Sequence, residues 1–316
     1  MEDVACNLCG SRNAAPQFQQ KDFMFRVSDE VFTIVQCADC GLVYLNPRPT
    51  IEELGAYYID SFYKNDRTAE EELVAREKQI REKVRFVEHL PKGRALDIGC
   101  MKGDFLHGLQ EAGWEVEGTE LSTTPSNLFN LDIHYGTDFL TWPSEEDRFD
   151  LVTMWAVMEH VHDPMAFFEK IHRVLKPGGR FVYLVTNWDS PHAQWLQMDD
   201  YPRHLTIFSR ETAQAYADKA GYILKRFVCD GSIYNTSSQG LLTYAFRHKV
   251  LREPIEKLAW EYRDNSLEFC HGLKGPRFLR RIWYRFDQLV CGKAFDRMLN
   301  RREKGHIITV ELENPR

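Results

Sequence analysis

The sequence predicts an α/β protein, a parallel sheet covered by helices on both faces, with a small cysteine-rich module ahead of it. Two observations carry this. From Gly93 to Asp230 strand-like runs alternate with helix-like runs, and upstream four cysteines stand in two closely spaced pairs. Parallel strands buried on both faces need helical crossovers, and the alternation supplies them. The 316 residues suit about two domains at ~150 residues each. With 43% hydrophobic and 28% charged residues the mix is globular, which excludes disordered and fibrous classes. No run approaches about 18 apolar residues, so no membrane-spanning helix is expected. The acidic start, Met1 to Cys6, does not read as a secretory signal. Eight cysteines are too few for a disulfide scaffold, and a reducing cytoplasm is the expected location. The net charge of −7 argues against the whole molecule binding polyanions.

Residues 1–50 form the first block. Cys6-Asn7-Leu8-Cys9 and Cys37-Ala38-Asp39-Cys40 flank a polar stretch and a strand-like piece, Val31 to Val35. Four thiolates in such pairs fit a closed tetrahedral Zn²⁺ site, although an iron–sulfur centre uses the same ligands. A closed site leaves no position for water, so its role is structural. A segment this poor in core residues needs a metal to hold its shape. Gly10 and Gly41 follow the second cysteine of each pair, where a tight knuckle often needs positive φ. Pro47 and Pro49 then mark a boundary.

Residues 51–91 read as a helical linker. Thr50 with Glu53 makes a capping box, and Leu73, Ile80, Val84 and Val87 recur at helical spacing, with Glu77 and Arg81 placed to pair. Glu70, Glu71 and Glu72 read as a solvated first turn. Within residues 92–231 the expected strands are Arg94–Ile98, Glu115–Thr119, Ile133–Tyr135, Leu151–Ala156, Arg180–Val185 and Ile223–Cys229. The expected helices are Gly103–Ala112, Met165–Val174 and Arg210–Ala220. Pro177-Gly178-Gly179 separates a helix from the next strand. Residues 232–304 break the rhythm as a helical insertion, with Pro276 suited to a first helical turn. Residues 305–316 return to strand.

The second chemical motif runs from Leu96 to Gly103. A hydrophobic strand enters a turn with glycine at 99 and 103 that opens a helix, and Glu120 ends the next strand, 21 residues after Gly99. Glycine lets backbone approach a ligand, and a carboxylate at that strand end can accept from ribose hydroxyls. This points to a nucleoside cofactor. A dinucleotide fingerprint needs three glycines and a pyrophosphate on the helix N-terminus. Here Asp97 stands before the turn and Asp104 behind it, and that negative charge suits a cationic aminoacyl sulfonium better.

The run Leu96-Asp97-Ile98-Gly99-Cys100-Met101-Lys102-Gly103 resembles motif I of class I S-adenosylmethionine (SAM)-dependent methyltransferases. Phe149 to Val152, Met158 to Pro164 and Val174 to Gly179 resemble that family's later motifs, in order, over roughly residues 92–230. The four-cysteine module followed by Gly41-Leu42-Val43-Tyr44, and the segment His204 to Ser209, resemble bacterial members acting on small molecules in sugar, surface-glycan and natural-product pathways. Met101 departs from the family at the middle glycine. The resemblance implies a Rossmann-like seven-stranded sheet, mostly parallel with the last strand antiparallel. It also implies S-adenosyl-L-methionine as cofactor beside structural Zn²⁺. Asp97 would orient the turn, Gly99, Cys100 and Gly103 would line the methionyl part, Glu120 would hold the ribose, and Asp138 would accept from the adenine amino group. Trp155 would wall the pocket.

For a hydroxyl acceptor a base helps by about 10²–10⁴. Three histidines, His160, His192 and His204, are candidates. His204, in a polar loop after the fifth strand, is the expected base, with Tyr201 and His160 as alternatives and Asn187 as a substrate contact. Arg277 to Arg302 carries eight Lys/Arg against Asp287 and Asp296, and an apolar stripe of Leu279, Ile282, Trp283, Phe286, Leu289 and Val290. It reads as packed core, lid or dimer contact, or as a helix lying on an anionic membrane surface, which would make the protein peripheral at the inner membrane face. The expected function is methyl transfer to a hydroxyl or carbon of a small-molecule or glycan acceptor. An RNA methyltransferase gripping RNA through the zinc module and a non-catalytic zinc-dependent adaptor stand as alternatives.

Overall fold

The computed structural model describes residues 1–59, 67–197, 199–231, 233–234, 240–255, 257–258, 261 and 277–316. Its strands are β1 (Ala14–Gln20), β2 (Phe32–Cys37), β3 (Val43–Leu45), β4 (Arg94–Ile98), β5 (Glu115–Glu120), β6 (Ile133–Tyr135), β7 (Phe149–Trp155), β8 (Leu175–Thr186), β9 (Thr206–Ile207), β10 (Ile223–Cys229) and β11 (Ile307–Glu313). The helices that position the site are α1 (Ile51–Leu54), α2 (Ala69–Val87), α3 (Asp104–Glu111), α4 (Pro164–Val174), α5 (Pro191–Gln194), α6 (Arg210–Lys219), α7 (Leu241–Lys249) and α8 (Arg277–Leu289).

The main sheet has seven strands in the order β10-β11-β8-β7-β4-β5-β6. β4, β5, β6, β7 and β8 pair in parallel, while β11 is antiparallel to both β8 and β10. The central strands are buried on both faces, as an apolar run such as Leu151 to Trp155 requires. From β4 the chain winds to β5 and β6 on one side, then returns to β7 and β8 on the other. That reversal between β4 and β7 opens a crevice at the strands' carboxyl ends, the usual ligand position in such sheets.

α2 begins at the Thr68 capping box and packs on α3, where a Cβ on Gly108 would lie 2.5 Å from Ile80 and 3.2 Å from Val84. Its first turn is not solvated throughout. Glu72 is buried, pairing with Arg76 at 2.6 Å and facing Lys102 at 3.9 Å, because α2 lays this edge against the motif I turn.

The cysteine block is not a separate bead. β1, β2 and β3 form an antiparallel sheet whose fourth strand is β9, contributed by the core. Phe208, just past β9, bridges Asn187 at the end of β8. Asn187 is fully buried and committed to structure. Its Nδ2 donates to the carbonyls of Glu303 and Gly305 at 3.1 and 2.8 Å, and its Oδ1 accepts from the Asp189 amide. This side chain therefore ties β8 to the approach of β11 and is no free substrate contact.

In the insertion, the stripe on α8 divides. Trp283 turns inward and donates to Thr243 at 2.8 Å, and buried Asp287 accepts from the Gly240 amide. Leu279, Ile282, Phe286, Leu289 and Val290 are exposed, together with Phe278. Pro276 lies outside the described residues. No described helix is long and apolar enough to cross a membrane.

Candidate active site

The motif I turn leaves β4 with left-handed backbone at Gly99 (φ 74°), Met101 (φ 52°) and Gly103 (φ 83°). The glycines are needed for conformation and for room, since a Cβ at Gly99 would meet Val157 at 2.6 Å and one at Gly103 would meet Ile133 at 2.8 Å. Met101 takes the strained middle position, where the backbone cost for a non-glycine residue is about 1–2 kcal/mol. Cys100 turns its side chain into the core beneath Gly118, so only its backbone faces the turn.

Glu120 closes β5 beside this turn. Its carboxylate accepts from the Met101 amide at 3.0 Å and from the Ser122 amide at 2.9 Å, and burial pushes its pKa up against those bonds. Asp97 is buried and accepts from Thr153 at 2.6 Å; burial lifts it to about 7, with Lys83 opposing. Lys83, on α2, sits 5.6, 5.5 and 5.6 Å from the ring centroids of Phe105, Trp155 and Tyr234, near Asp97 and Asp104. Burial lowers its pKa while both carboxylates raise it. Sequence reading passed over Lys83, although its spacing to Ile80 and Val87 places it on the same inward face. Trp155 is buried between Phe86 and Phe105, and its Nε1 has no partner among the described residues. The turn thus sets left-handed backbone beside an unpartnered buried donor, Trp155 Nε1, and a carboxylate at the strand end, a set that fits a nucleoside with a cationic amino-acid arm. Asp138 is exposed on the loop after β6 and accepts from the Leu140 amide at 2.9 Å, so it caps its own turn.

At the carboxyl ends of β7 and β8 a second group assembles. The 3₁₀ turn Met158–His160 brings Glu159 and His160, and the loop before β9 brings Asp199, Tyr201 and His204. His204 donates through Nδ1 to Asp199, which also accepts from Thr186 at 3.1 Å. The His160 and His204 rings cross edge to face at 4.6 Å. His160 Nδ1 lies 3.1 Å from both the Arg203 carbonyl and the Tyr58 hydroxyl. Burial alone would lower the His204 pKa, but Asp199 overrides it and lifts it to about 9. Glu159 is pushed up to about 7 by burial, with His204 opposing. His204 therefore stands inside a charged cluster and not alone as a neutral base. Tyr201 is buried with its hydroxyl unpartnered among the described residues, and its ring meets Phe18 edge-on. His192 is stacked on His306 at 4.5 Å, and His306 in turn feels the charges of Asp199 and His204, so His192 is linked to this cluster only through His306.

Arg203, fully buried, locks the loop. It donates to Asp22 at 2.7 Å, to Asp200 at 2.8 Å and to the Tyr57 carbonyl at 2.7 Å. Nothing in the local sequence pairs Asp22 with Arg203, 181 residues apart.

The four cysteines do converge. Sγ atoms of Cys6 and Cys40 lie 3.4 Å apart, those of Cys9 and Cys37 3.5 Å apart, and all four lie within 4.8 Å of one another. A regular tetrahedron with Zn–S of ~2.3 Å needs S···S of about 3.8 Å, so the set fits that ion. Gly10 and Gly41 take φ 78° and return their amides to the Cys6 and Cys37 carbonyls, closing the knuckles.

Strand order, motif turn and strand-end carboxylate together define a Rossmann-like methyltransferase fold. Residues 73–224 match the family described as a methyltransferase domain. Among curated proteins the chain is similar to the ubiquinone biosynthesis O-methyltransferase of Pseudomonas aeruginosa, 31% identical over 109 residues, 32% of this chain and 47% of that one. The enzyme of the same name from Idiomarina loihiensis is 22% identical over 204 residues, 60% of this chain and 80% of that one. The chain thus spans about half the length of the first curated relatives it matches. Among solved structures it is similar to geranyl diphosphate C-methyltransferase from Streptomyces coelicolor, with TM-score 0.46 and 15% identity over 74% of this chain and 77% of that one. Phosphoethanolamine N-methyltransferase 2 from Haemonchus contortus gives TM-score 0.43 and 17% identity over 76% and 53%.

Proposed function

We propose that this chain transfers a methyl group from S-adenosylmethionine to a hydroxyl or carbon of a small-molecule acceptor, a sugar, glycan or natural-product intermediate. The observation that carries the reading is Glu120, a buried strand-end carboxylate braced by the Met101 and Ser122 amides across the glycine turn. When bound, S-adenosylmethionine supplies an activated methyl group on a sulfonium centre. Glu120 would hold its ribose, the Gly99–Gly103 backbone its methionyl arm, and Asp97 would orient the turn through Thr153. Asp138 keeps the role of adenine acceptor, through whatever capacity its turn bond leaves free. The rest of the task is alignment and exclusion of water. The Glu159–His160–His204 cluster, on the carboxyl side of β7, faces the acceptor and handles its charge.

Zn²⁺ on Cys6, Cys9, Cys37 and Cys40 would hold β1–β3 as a wall beside the acceptor loop. The exposed apolar face of α8, flanked by exposed Arg281 and Arg285, supports peripheral binding to an anionic membrane. Calorimetric titration of the folded, zinc-loaded protein with S-adenosylhomocysteine tests the central reading, and absence of binding ends it. Co-sedimentation with vesicles containing anionic lipid tests the membrane reading, which requires Phe278→Glu with Phe286→Glu to weaken the association at least tenfold.

A further inference from the structure

Glu159, His160 and His204 each offer one metal-ligand atom, and these atoms lie within 4.8 Å of one another. The combination is two imidazoles and one carboxylate, the donor set of open three-ligand sites for divalent transition metals. It is set up as such sites are. His204 has its Nδ1 engaged by Asp199, itself held by Thr186, which leaves Nε2 as the nitrogen on offer. His160 has its Nδ1 against the Arg203 carbonyl and the Tyr58 hydroxyl, which likewise leaves its other nitrogen. Partners of this kind fix ring orientation and tautomer in metal-binding histidines.

An independent observation points to a missing partner. Glu159 is 1% exposed and its Oε2 has no hydrogen-bond partner among the described residues. A buried carboxylate oxygen without a partner costs free energy, and a cation removes that cost. Ligand atoms around an ion at ~2.1 Å would stand about 3.4 Å apart, a contraction that small side-chain rotations cover.

We infer that Glu159, His160 and His204 bind a divalent transition-metal ion, separate from the four-cysteine site, with an open position facing the acceptor. Metal binding at these residues does not depend on the methyl-transfer reading. The use of the open position, ligation of an acceptor oxygen, does rest on it. A metal there occupies His204 Nε2, so His204 acts as a ligand and not as a proton acceptor.

The test is metal counting on the full chain. Protein loaded with Zn²⁺ and dialysed free of excess should carry two ions per chain by mass spectrometry of the digested sample. Glu159→Gln and, separately, His160→Gln should each lower the count to one while circular dichroism and the four-cysteine site are retained. With the cysteines filled by Zn²⁺, added Co²⁺ should give weak d–d bands without sulfur charge-transfer absorption. Asp199→Asn should weaken Co²⁺ binding about 10–100-fold. A count of one in the wild-type chain, or a count of two that both variants leave unchanged, overturns the site. Binding of S-adenosylhomocysteine, measured in parallel, separates the two readings. Nucleoside binding with one metal removes only the metal site, and two metals without nucleoside binding removes only the methyl-transfer reading.

Discussion

Glu120 is the residue on which the donor reading turns, and its replacement can be worked through. In the folded chain its two carboxylate oxygens accept one amide each, from Met101 at 3.0 Å and Ser122 at 2.9 Å. Glu120→Gln keeps the shape but turns one oxygen into an NH₂. One backbone amide then faces a donor, and leaving such a buried group unsatisfied costs about 1–3 kcal/mol. The charged acceptor for the ribose is weakened as well, and a hydrogen bond to a charged group contributes about 1.5–3 kcal/mol. At 1.4 kcal/mol per decade, the ribose loss alone is roughly a 10–150-fold weaker dissociation constant. The assay is calorimetric titration with S-adenosylhomocysteine, paired with urea unfolding to read the stability loss separately. A variant that unfolds earlier yet binds within threefold of wild type would refute the ribose assignment and leave Glu120 as a brace for the turn.

Arg203→Met should cost about 3–5 kcal/mol in urea unfolding, because it strands Asp22 and Asp200 beside a buried apolar chain. Asp22 has its pKa held below the carboxylate range: burial would raise it, but bonds from Arg203 and the Phe25 and Val27 amides outweigh that. Its stabilisation is therefore full above the ordinary range, near ~4, and is lost as pH falls below it. Acid titration of wild type should show that loss, and the Arg203 variant should show less of it. Gly118→Ala should destabilise by about 1–3 kcal/mol, since the new Cβ would lie 2.7 Å from both Cys100 Sγ and Leu106 Cδ1 in a filled core; a change under 0.5 kcal/mol would contradict the packing. Stripping Zn²⁺ with a strong chelator should open residues 1–50 to limited proteolysis while S-adenosylhomocysteine binding persists, and an undigested N-terminal segment would count against a metal-held module.

The fold was legible because each core element announces itself locally. Strand β4 and helix α3 carry their own periodicity and share a glycine turn that has one common use. The final strand β11 was legible as a strand and its antiparallel sense came from family likeness, but its place between β8 and β10 was not legible in its own residues. The convergence of the four cysteines was readable for the same reason as the glycine turn: both depend on a fixed local spacing. What stayed hidden depends on distant partners. Glu72 looked like a solvated helix start until Arg76 and Lys102 enclosed it, and Asn187 looked free until Glu303 and Gly305 took its amide. The histidines were named, but their joint arrangement with Glu159 was not, because it forms where a turn after β7 meets a loop from beyond β8. On α8 the apolar period was legible and what it faces was not, since amphipathic spacing does not say which face meets the protein.

Two residues of β9 have a consequence larger than their length. Through Thr206 and Ile207 the segment bearing His204 and Asp199 is stitched to the N-terminal sheet on one edge, and through Phe208 to the core on the other. The chain's beginning is therefore a mould against which its reactive middle is cast. A shortened protein starting after residue 50 would keep every candidate donor contact from Asp97 to Trp155 and still lose the shape of the opposite bank.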